Sequence, residues 1–214
     1  MNVTFHQASI IQKLQRAAYN GVHKAAIMLQ NEIKESLNLH ASNMMNGGTS
    51  SSPGSPPGRN TGTLANSIQL KDATHDPRVP HFVVGTNVPY ARIQEYGGRI
   101  YPKHSQNLII PIGAQGRKAL RDCGGDVSKL NLRFIMTRRH TKILGMDLAK
   151  GTKLPWKGGG KKVKAKTFVP LFVLKRFVIL PPRPYFRPAY AKMKAAMESA
   201  IVAEMRKVMD KEAA

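Results

Sequence analysis

Nine residues near the end of the chain, Pro181-Pro182-Arg183-Pro184-Tyr185-Phe186-Arg187-Pro188-Ala189, constrain the fold more than any other stretch. Each proline fixes φ, removes a backbone donor and pushes the residue before it toward extended geometry. Leu180 to Arg187 is therefore expected to run extended or polyproline-like. Pro188 suits the first position of a helix, where its missing N–H is no loss. Behind it Tyr190, Met193, Met197, Ile201, Met205 and Val208 recur at steps of three and four, giving a terminal helix one apolar face. Such a face has to dock on a sheet or on another helix.

A second helix is expected at the other end. From Ser9 to about Leu39 the residues Ile10, Leu14, Ala17, Ala18, Val22, Ala25, Leu29, Ile33 and Leu37 recur with helical spacing, with Lys13, Arg16, Lys24, Glu32 and Lys34 between them. Ser9 is the expected cap. Gly21 marks either a bend or a close helix contact.

Between these helices the composition shifts repeatedly. Ala41 to Asn60 is rich in Ser, Gly, Pro and Asn and reads as a flexible loop, too poor in apolar surface to offset its ordering entropy. Thr61-Gly62-Thr63-Leu64-Ala65-Asn66-Ser67-Ile68 is expected to turn and start a first strand, able to pair as a hairpin with His81-Phe82-Val83-Val84-Gly85. Tyr90 to Gly98 suits a short helical turn or strand with a sharp exit. Its Glu95 is the only acidic residue between Asp76 and Asp122, so an arginine partner is expected for it rather than acid–base chemistry. Asn107 to Ile112, Asn131 to Met136 and Phe168 to Leu180 look like strands, the last split or bent near Lys175.

Charge is concentrated late in the chain. The net charge is +22 over 214 residues, with a pI near 10.5. From Arg99 to Arg187 there are 21 Lys and Arg against Asp122, Asp126 and Asp147, a net of +18. Such a field opposes compaction and attracts polyanions: DNA, RNA, an acidic protein surface or an anionic membrane. Arg138 and Arg139, with Lys157, Lys161, Lys162, Lys164 and Lys166 in a glycine-rich loop beside Trp156, are the candidate polyanion or partner contacts. The expected organisation is a single domain, 1–214, carrying the flexible loop 41–60 and a basic insertion at about 103–166.

Familiar chemistry finds no footing. Gly158 to Lys162 lacks both the upstream glycine and the Ser or Thr of a phosphate-binding loop. The seven histidines are dispersed without metal-pair spacing. His75, Asp76 and His81, the nearest approach to a ligand cluster, read as a polar turn. No Ser, His and Asp constellation can be assigned, so no enzyme and no cofactor is expected. Cys123 is the only cysteine and excludes an intramolecular disulfide. No apolar run approaches the ~20 residues of a membrane span, and Met1 to Gln12 lacks the pattern of a signal peptide. Synthesis and folding in the cytoplasm are the expectation.

Three separated pieces then form an ordered pattern. Pro56-Pro57-Gly58 leads into Thr61-Gly62-Thr63-Leu64 and Ser67-Ile68; Val88-Pro89-Tyr90-Ala91 precedes Glu95-Tyr96-Gly97; and Pro182-Arg183-Pro184-Tyr185-Phe186-Arg187-Pro188-Ala189 precedes a terminal helix. Together they resemble the tail-completion and head-to-tail joining proteins of tailed double-stranded DNA bacteriophages, also called minor tail, neck or virion morphogenesis proteins. The resemblance covers Ile10 to Tyr101 and Val173 to Lys207. It implies an α+β subunit in which a small, mostly antiparallel sheet is packed by the N-terminal and C-terminal helices, with Thr61, Gly62, Leu64, Tyr90, Glu95, Gly97, Arg183 and Pro184 as structural motif residues. It further implies a ring in the neck or upper tail of the virion, six-fold or twelve-fold, made in the bacterial host cytoplasm. The ring's partners would be adjacent connector and tail-tube proteins and the genomic double-stranded DNA passing through, with no membrane. The long basic segment departs from the compact family pattern. A basic nucleic-acid-binding protein is the alternative reading. Arg183, presented on a rigid proline arm, is expected to be held by a carboxylate or by carbonyls, with Glu95 as its partner.

Overall fold

The apolar periodicities at the two ends of the chain become two long helices, α1 (Gln7–Asn38) and, last in the chain, α5 (Phe186–Ala213). The computed structural model describes residues 7–39, 51–59, 61–76, 78–150 and 166–213. The architecture is α+β, and the chain divides into two compact units, Met1–Gly98 with Pro181–Ala214, and Arg99–Leu180.

In the first unit α5 packs along α1. The pairing is antiparallel, since Lys24 reaches Glu204 at 3.1 Å while Glu32 receives Lys192 at 2.8 Å. Gly21 is the close-contact point. A Cβ there would lie 3.0 Å from Ile201 Cα, so the missing side chain lets the backbones approach, and α1 continues through it as one helix. Met193, Met197, Ile201, Met205 and Val208 are half-buried, as their spacing requires, whereas Tyr190 is exposed and Ala189 takes the buried position.

Both helix starts differ from expectation. α1 already includes Ser9, the expected cap, from the first described residue, Gln7, onward, so Ser9 lies within the helix and not at its edge. α5 begins at Phe186, two residues before the expected start, and Pro188 still falls in the first turn, where N–H groups have no helical partner.

Between the helices come α2 (Thr63–Asn66), β1 (Gln69–Asp72), β2 (Phe82–Gly85) and α3 (Ala91–Tyr96). The expected hairpin forms, with Gln69 opposite Gly85 and Asp72 opposite Phe82. Its strand starts later than expected because Ser67 N–H donates back to Thr63 O, closing a helical turn first. The hairpin packs on α1, with Phe82 against Tyr19 and His23. The core gathers Ile33, Leu37, Ala65, Ile68, Tyr185 and Ala189.

The second unit holds β3 (Gly98–Ile100), β4 (Leu108–Pro111), α4 (Gly113–Asp122), β5 (Arg133–Met136), β6 (Lys142–Leu148), β7 (Thr167–Lys175) and β8 (Val178–Leu180). The expected break near Lys175 separates β7 from β8. β3 pairs with β8, and the other four strands form a sheet ordered β4-β7-β6-β5, every neighbour antiparallel. The described strands therefore form three separate sheets rather than the one small sheet expected, and the largest takes three strands from the basic segment and its fourth, β7, from the residues that follow it. α4 packs on β4 and β7, so close that a Cβ at Gly116 would overlap the Leu171 carbonyl oxygen.

Candidate functional site

The proline arm and α3 meet at one carboxylate, and the Thr61 turn joins the arm through the core, where Leu64, Ala65 and Ile68 cluster with Tyr185. α3 follows Pro89 and ends at Gly97, whose φ of 70° and the φ of 146° at Gly98 turn the chain through conformations that side chains disfavour. This short helix buries Glu95, which is 5% exposed. Its Oε2 accepts N–H bonds from Tyr185 at 2.8 Å and Phe186 at 3.0 Å. Its Oε1 accepts from the Arg187 backbone N–H and from Arg187 Nε, both at 3.1 Å. Glu95 thus caps α5 from a distant part of the chain, where a negative charge complements both the unpaired N–H groups and the helix dipole. Burial pushes its carboxyl pKa up, but the N–H groups of Phe186, Tyr185 and Arg187 together outweigh burial and hold it below the ordinary value of 4.5. A carboxylate so occupied serves as a fixed acceptor rather than a proton carrier.

Glu95 therefore has its arginine partner, but the partner is Arg187 and not Arg183. The Arg187 guanidinium also lies 5.0 Å from the Tyr96 ring centroid. Arg183 is 9% exposed and is held by carbonyls: its Nε donates to Ser51 O at 3.0 Å and its backbone N–H to Gln94 O at 2.7 Å. The reason is geometric. The N–H groups that need an acceptor begin at Tyr185, so the carboxylate sits over the start of α5, and Arg183, two residues earlier, points elsewhere.

Residues 51–59 are partly tied down as well. Besides the Ser51 contact, Gly54 N–H donates to Pro182 O at 2.9 Å, and Arg59 reaches the Asn38 side chain at 3.0 Å. Within the loop expected over 41–60, residues 51–59 thus carry hydrogen bonds to the proline arm and to the end of α1. Residues 40–50 and 60 lie outside the described residues.

The other motif residues close the junction. Gly62 has φ 81° at the entry of α2, and the Thr61 and Thr63 hydroxyls share a hydrogen bond at 2.7 Å. Leu64 packs against the core cluster. Tyr90 precedes α3, and Pro184 delivers Tyr185 into the core. Burial, then the charge of Glu95, pushes the Tyr185 phenol up to about 12. Two clefts flank this junction. One, of ≈ 450 Å³, is lined by Leu29, Val88, Tyr96, Phe186 and Tyr190 among others; the second, of ≈ 250 Å³, lies beside Pro57, Gly62, Leu64 and Gln94. Gln94 Oε1 and Ser51 Oγ are buried without a hydrogen-bond partner.

No family model, curated protein or solved structure matches this chain.

The candidate polyanion contacts are dispersed by comparison. Arg138 and Arg139 form an exposed hairpin tip between β5 and β6. Lys166 adjoins Thr167, which pairs with Leu148 at the far end of β6, about 20 Å from the tip at ~3.3 Å per residue. Lys157, Lys161, Lys162 and Lys164 lie outside the described residues. Sequence reasoning missed Lys142, Lys175 and Arg176, which strand register places at the tip end of the sheet. Among the described residues no group of His, Cys, Asp and Glu is placed to hold a metal ion, and no helix is long and apolar enough to cross a membrane.

Proposed function

We propose that this chain is a structural, non-enzymatic virion protein of a tailed bacteriophage, forming a ring in the neck or at the top of the tail that completes the tail and joins it to the DNA-filled head. The observation that carries the reading is convergence: of the three sequence pieces that bear the family resemblance, far apart in the chain, the second holds the third through Glu95 and the first packs on the third through Leu64, Ile68 and Tyr185. Motif residues that hold a shared architecture in place are expected to meet in this way, whereas coincidental matches have no reason to.

A second observation supports assembly. Tyr90, Tyr96 and Tyr190 are exposed beside the junction, and Tyr96 and Tyr190 line one cleft with Leu29, Val88 and Phe186. In a ring, a neighbouring copy would cover these aromatic side chains. The net charge of +22 favours the second reading, a basic nucleic-acid-binding protein.

Electron micrographs of the purified full-length protein, alone and mixed with tail tubes and DNA-filled heads, discriminate the two. Closed rings, six-fold or twelve-fold, that seat on tail ends are the expected outcome. A protein that stays monomeric at all concentrations and binds free DNA would overturn the ring reading in favour of the second.

A further inference from the structure

The end of the four-stranded sheet that carries Arg138 and Arg139 is built unlike an ordinary hairpin end. Met136 and Lys142 are the last register pair. Beyond them Thr137 N–H donates to Thr141 O at 3.0 Å, His140 N–H donates to Thr137 O at 2.9 Å, and Thr141 N–H donates to the Thr137 hydroxyl at 3.1 Å. The loop is thus Arg138-Arg139-His140, a turn closed by three bonds, with His140 in the left-handed region at φ 55°. Glycine is the usual occupant of that last position, and Gly, Asn, Asp and Ser are the usual residues of such turns. Here three basic side chains stand in their place on a rigid support.

Register adds to the tip. Lys142 lies opposite Leu174, and Lys175 opposite Leu108, so Lys142, Lys175 and Arg176 come to the same end of the sheet on adjacent strands, which are spaced about 4.8 Å apart. None of Arg138, Arg139, Lys142, Lys175 and Arg176 has a carboxylate within ion-pair distance among the described residues. Two of the unit's three aspartates are engaged elsewhere: Asp147 holds Arg133 at 2.7 Å, and Asp126 faces Lys129 at 4.0 Å. Five uncompensated cations on one rigid rim repel one another, and a polyanion removes that repulsion.

We propose that this rim, the Thr137–Thr141 tip with Lys142, Lys175 and Arg176, docks on the phosphate backbone of duplex DNA. The proposal rests on the virion reading for its DNA, and it narrows the partner of the basic unit from any polyanion to a duplex. Arginine also anchors protein interfaces and Met136 is exposed beside the tip, so an acidic protein surface is the competing occupant that the test below separates from a duplex. A single-stranded partner would need a stacking platform, whereas Phe177, next to Arg176, pairs with Tyr101 and is covered by Arg99, which leaves Phe134 on β5 as a lone exposed ring. The contact reads backbone charge, not sequence.

The test is fluorescence anisotropy of a labelled duplex of about 30 base pairs of arbitrary sequence, titrated with full-length protein between about 50 and 200 mM salt. Each phosphate contact contributes about −0.9 to the slope of log affinity against log salt, so R138A/R139A should flatten the slope by about 1.8, roughly a tenfold smaller affinity loss over that range. K175A/R176A should flatten it comparably, and keeps the question decidable if the tip variant fails to melt cooperatively. K194A/R206A, which removes two exposed cations of α5, should leave the slope as it was. An unchanged slope in both rim variants overturns the rim, as does equal flattening in the α5 control. Displacement of the duplex by poly-L-glutamate at equal charge, lost in the same variants, would assign the rim to an acidic protein instead. Micrographs of the unaltered protein separate the two ideas: if it forms rings while both rim variants keep its salt slope, the rim alone is refuted, and if it forms no rings while the rim variants flatten the slope, the rim is supported and the ring refuted.

Discussion

Replacing Glu95 tests the centre of the structure. The carboxylate is 5% exposed and accepts four N–H bonds, three of them from the backbone at the start of α5. Glu95→Gln keeps one acceptor oxygen but loses the charge, and it turns an NH2 group toward two of the donors. Each buried group left unsatisfied costs about 1–3 kcal/mol, and loss of the helix-dipole interaction adds about 0.5–1 kcal/mol. A destabilisation of about 3 kcal/mol is expected. Glu95→Ala, which removes every acceptor and leaves three backbone N–H groups at the start of α5 unpaired, should cost about 3–5 kcal/mol.

Arg187 provides the control. Its side chain is 60% exposed, so its ion pair is screened and Arg187→Ala should cost only about 0.2–1 kcal/mol. The asymmetry follows from where the carboxylate's bonds go, chiefly to backbone rather than to the guanidinium. Urea denaturation followed by circular dichroism measures all three variants. The sign with pH is also determined: a carboxyl held below its ordinary pKa stabilises the fold fully above that ordinary value, 4.5, and loses this contribution as pH falls through the folded pKa. The gap between wild type and Glu95→Gln should therefore be full at neutral pH and shrink below about pH 4.5. A Glu95→Gln protein within about 0.5 kcal/mol of wild type, or an Arg187→Ala as costly as Glu95→Ala, would refute the capping argument.

Three further outcomes are expected. Gly21→Leu should destabilise by about 1–3 kcal/mol in thermal melts through collision with the Ile201 backbone, although helix propensity alone favours leucine by about 0.8 kcal/mol; a stabilised variant would show that the helices are not in close contact there. Tyr185, pushed up to about 12 by burial and by Glu95, should stay un-ionised in a spectrophotometric titration well past the ordinary tyrosine value of 10, and its loss of protection should coincide with alkaline unfolding. K157S/K161S/K162S/K164S/K166S should leave the melting transition nearly unchanged while reducing the yield of joined particles, because like charges that repel in the isolated subunit find use only against a polyanion; normal particle yields would count against that role.

The sequence by itself determined the elements whose signal is local and periodic. Apolar residues at steps of three and four specify α1 and α5, turn residues and alternation specify the β1–β2 hairpin, and two glycines specify the exit from α3. Glu95 was legible as a residue in need of an arginine, and Arg183 as one to be held, because each had a chemical requirement that its neighbours could not meet. Which groups met those requirements was decided only by tertiary structure. Arg187 rather than Arg183 reached Glu95, because the carboxylate caps a helix whose first N–H groups lie 90 residues away in sequence, and no local pattern encodes that distance. Ser51 and Gly54 gained hydrogen bonds to the proline arm, which their composition had no means to show. β6 and α4 escaped notice because a glycine interrupts each, and those glycines, Gly145 and Gly116, are explained only by the side chains and backbone that pack on them. The rim of Arg138, Arg139, Lys142, Lys175 and Arg176 likewise exists only in register: strand pairing joins charges that the sequence separates by more than 30 residues.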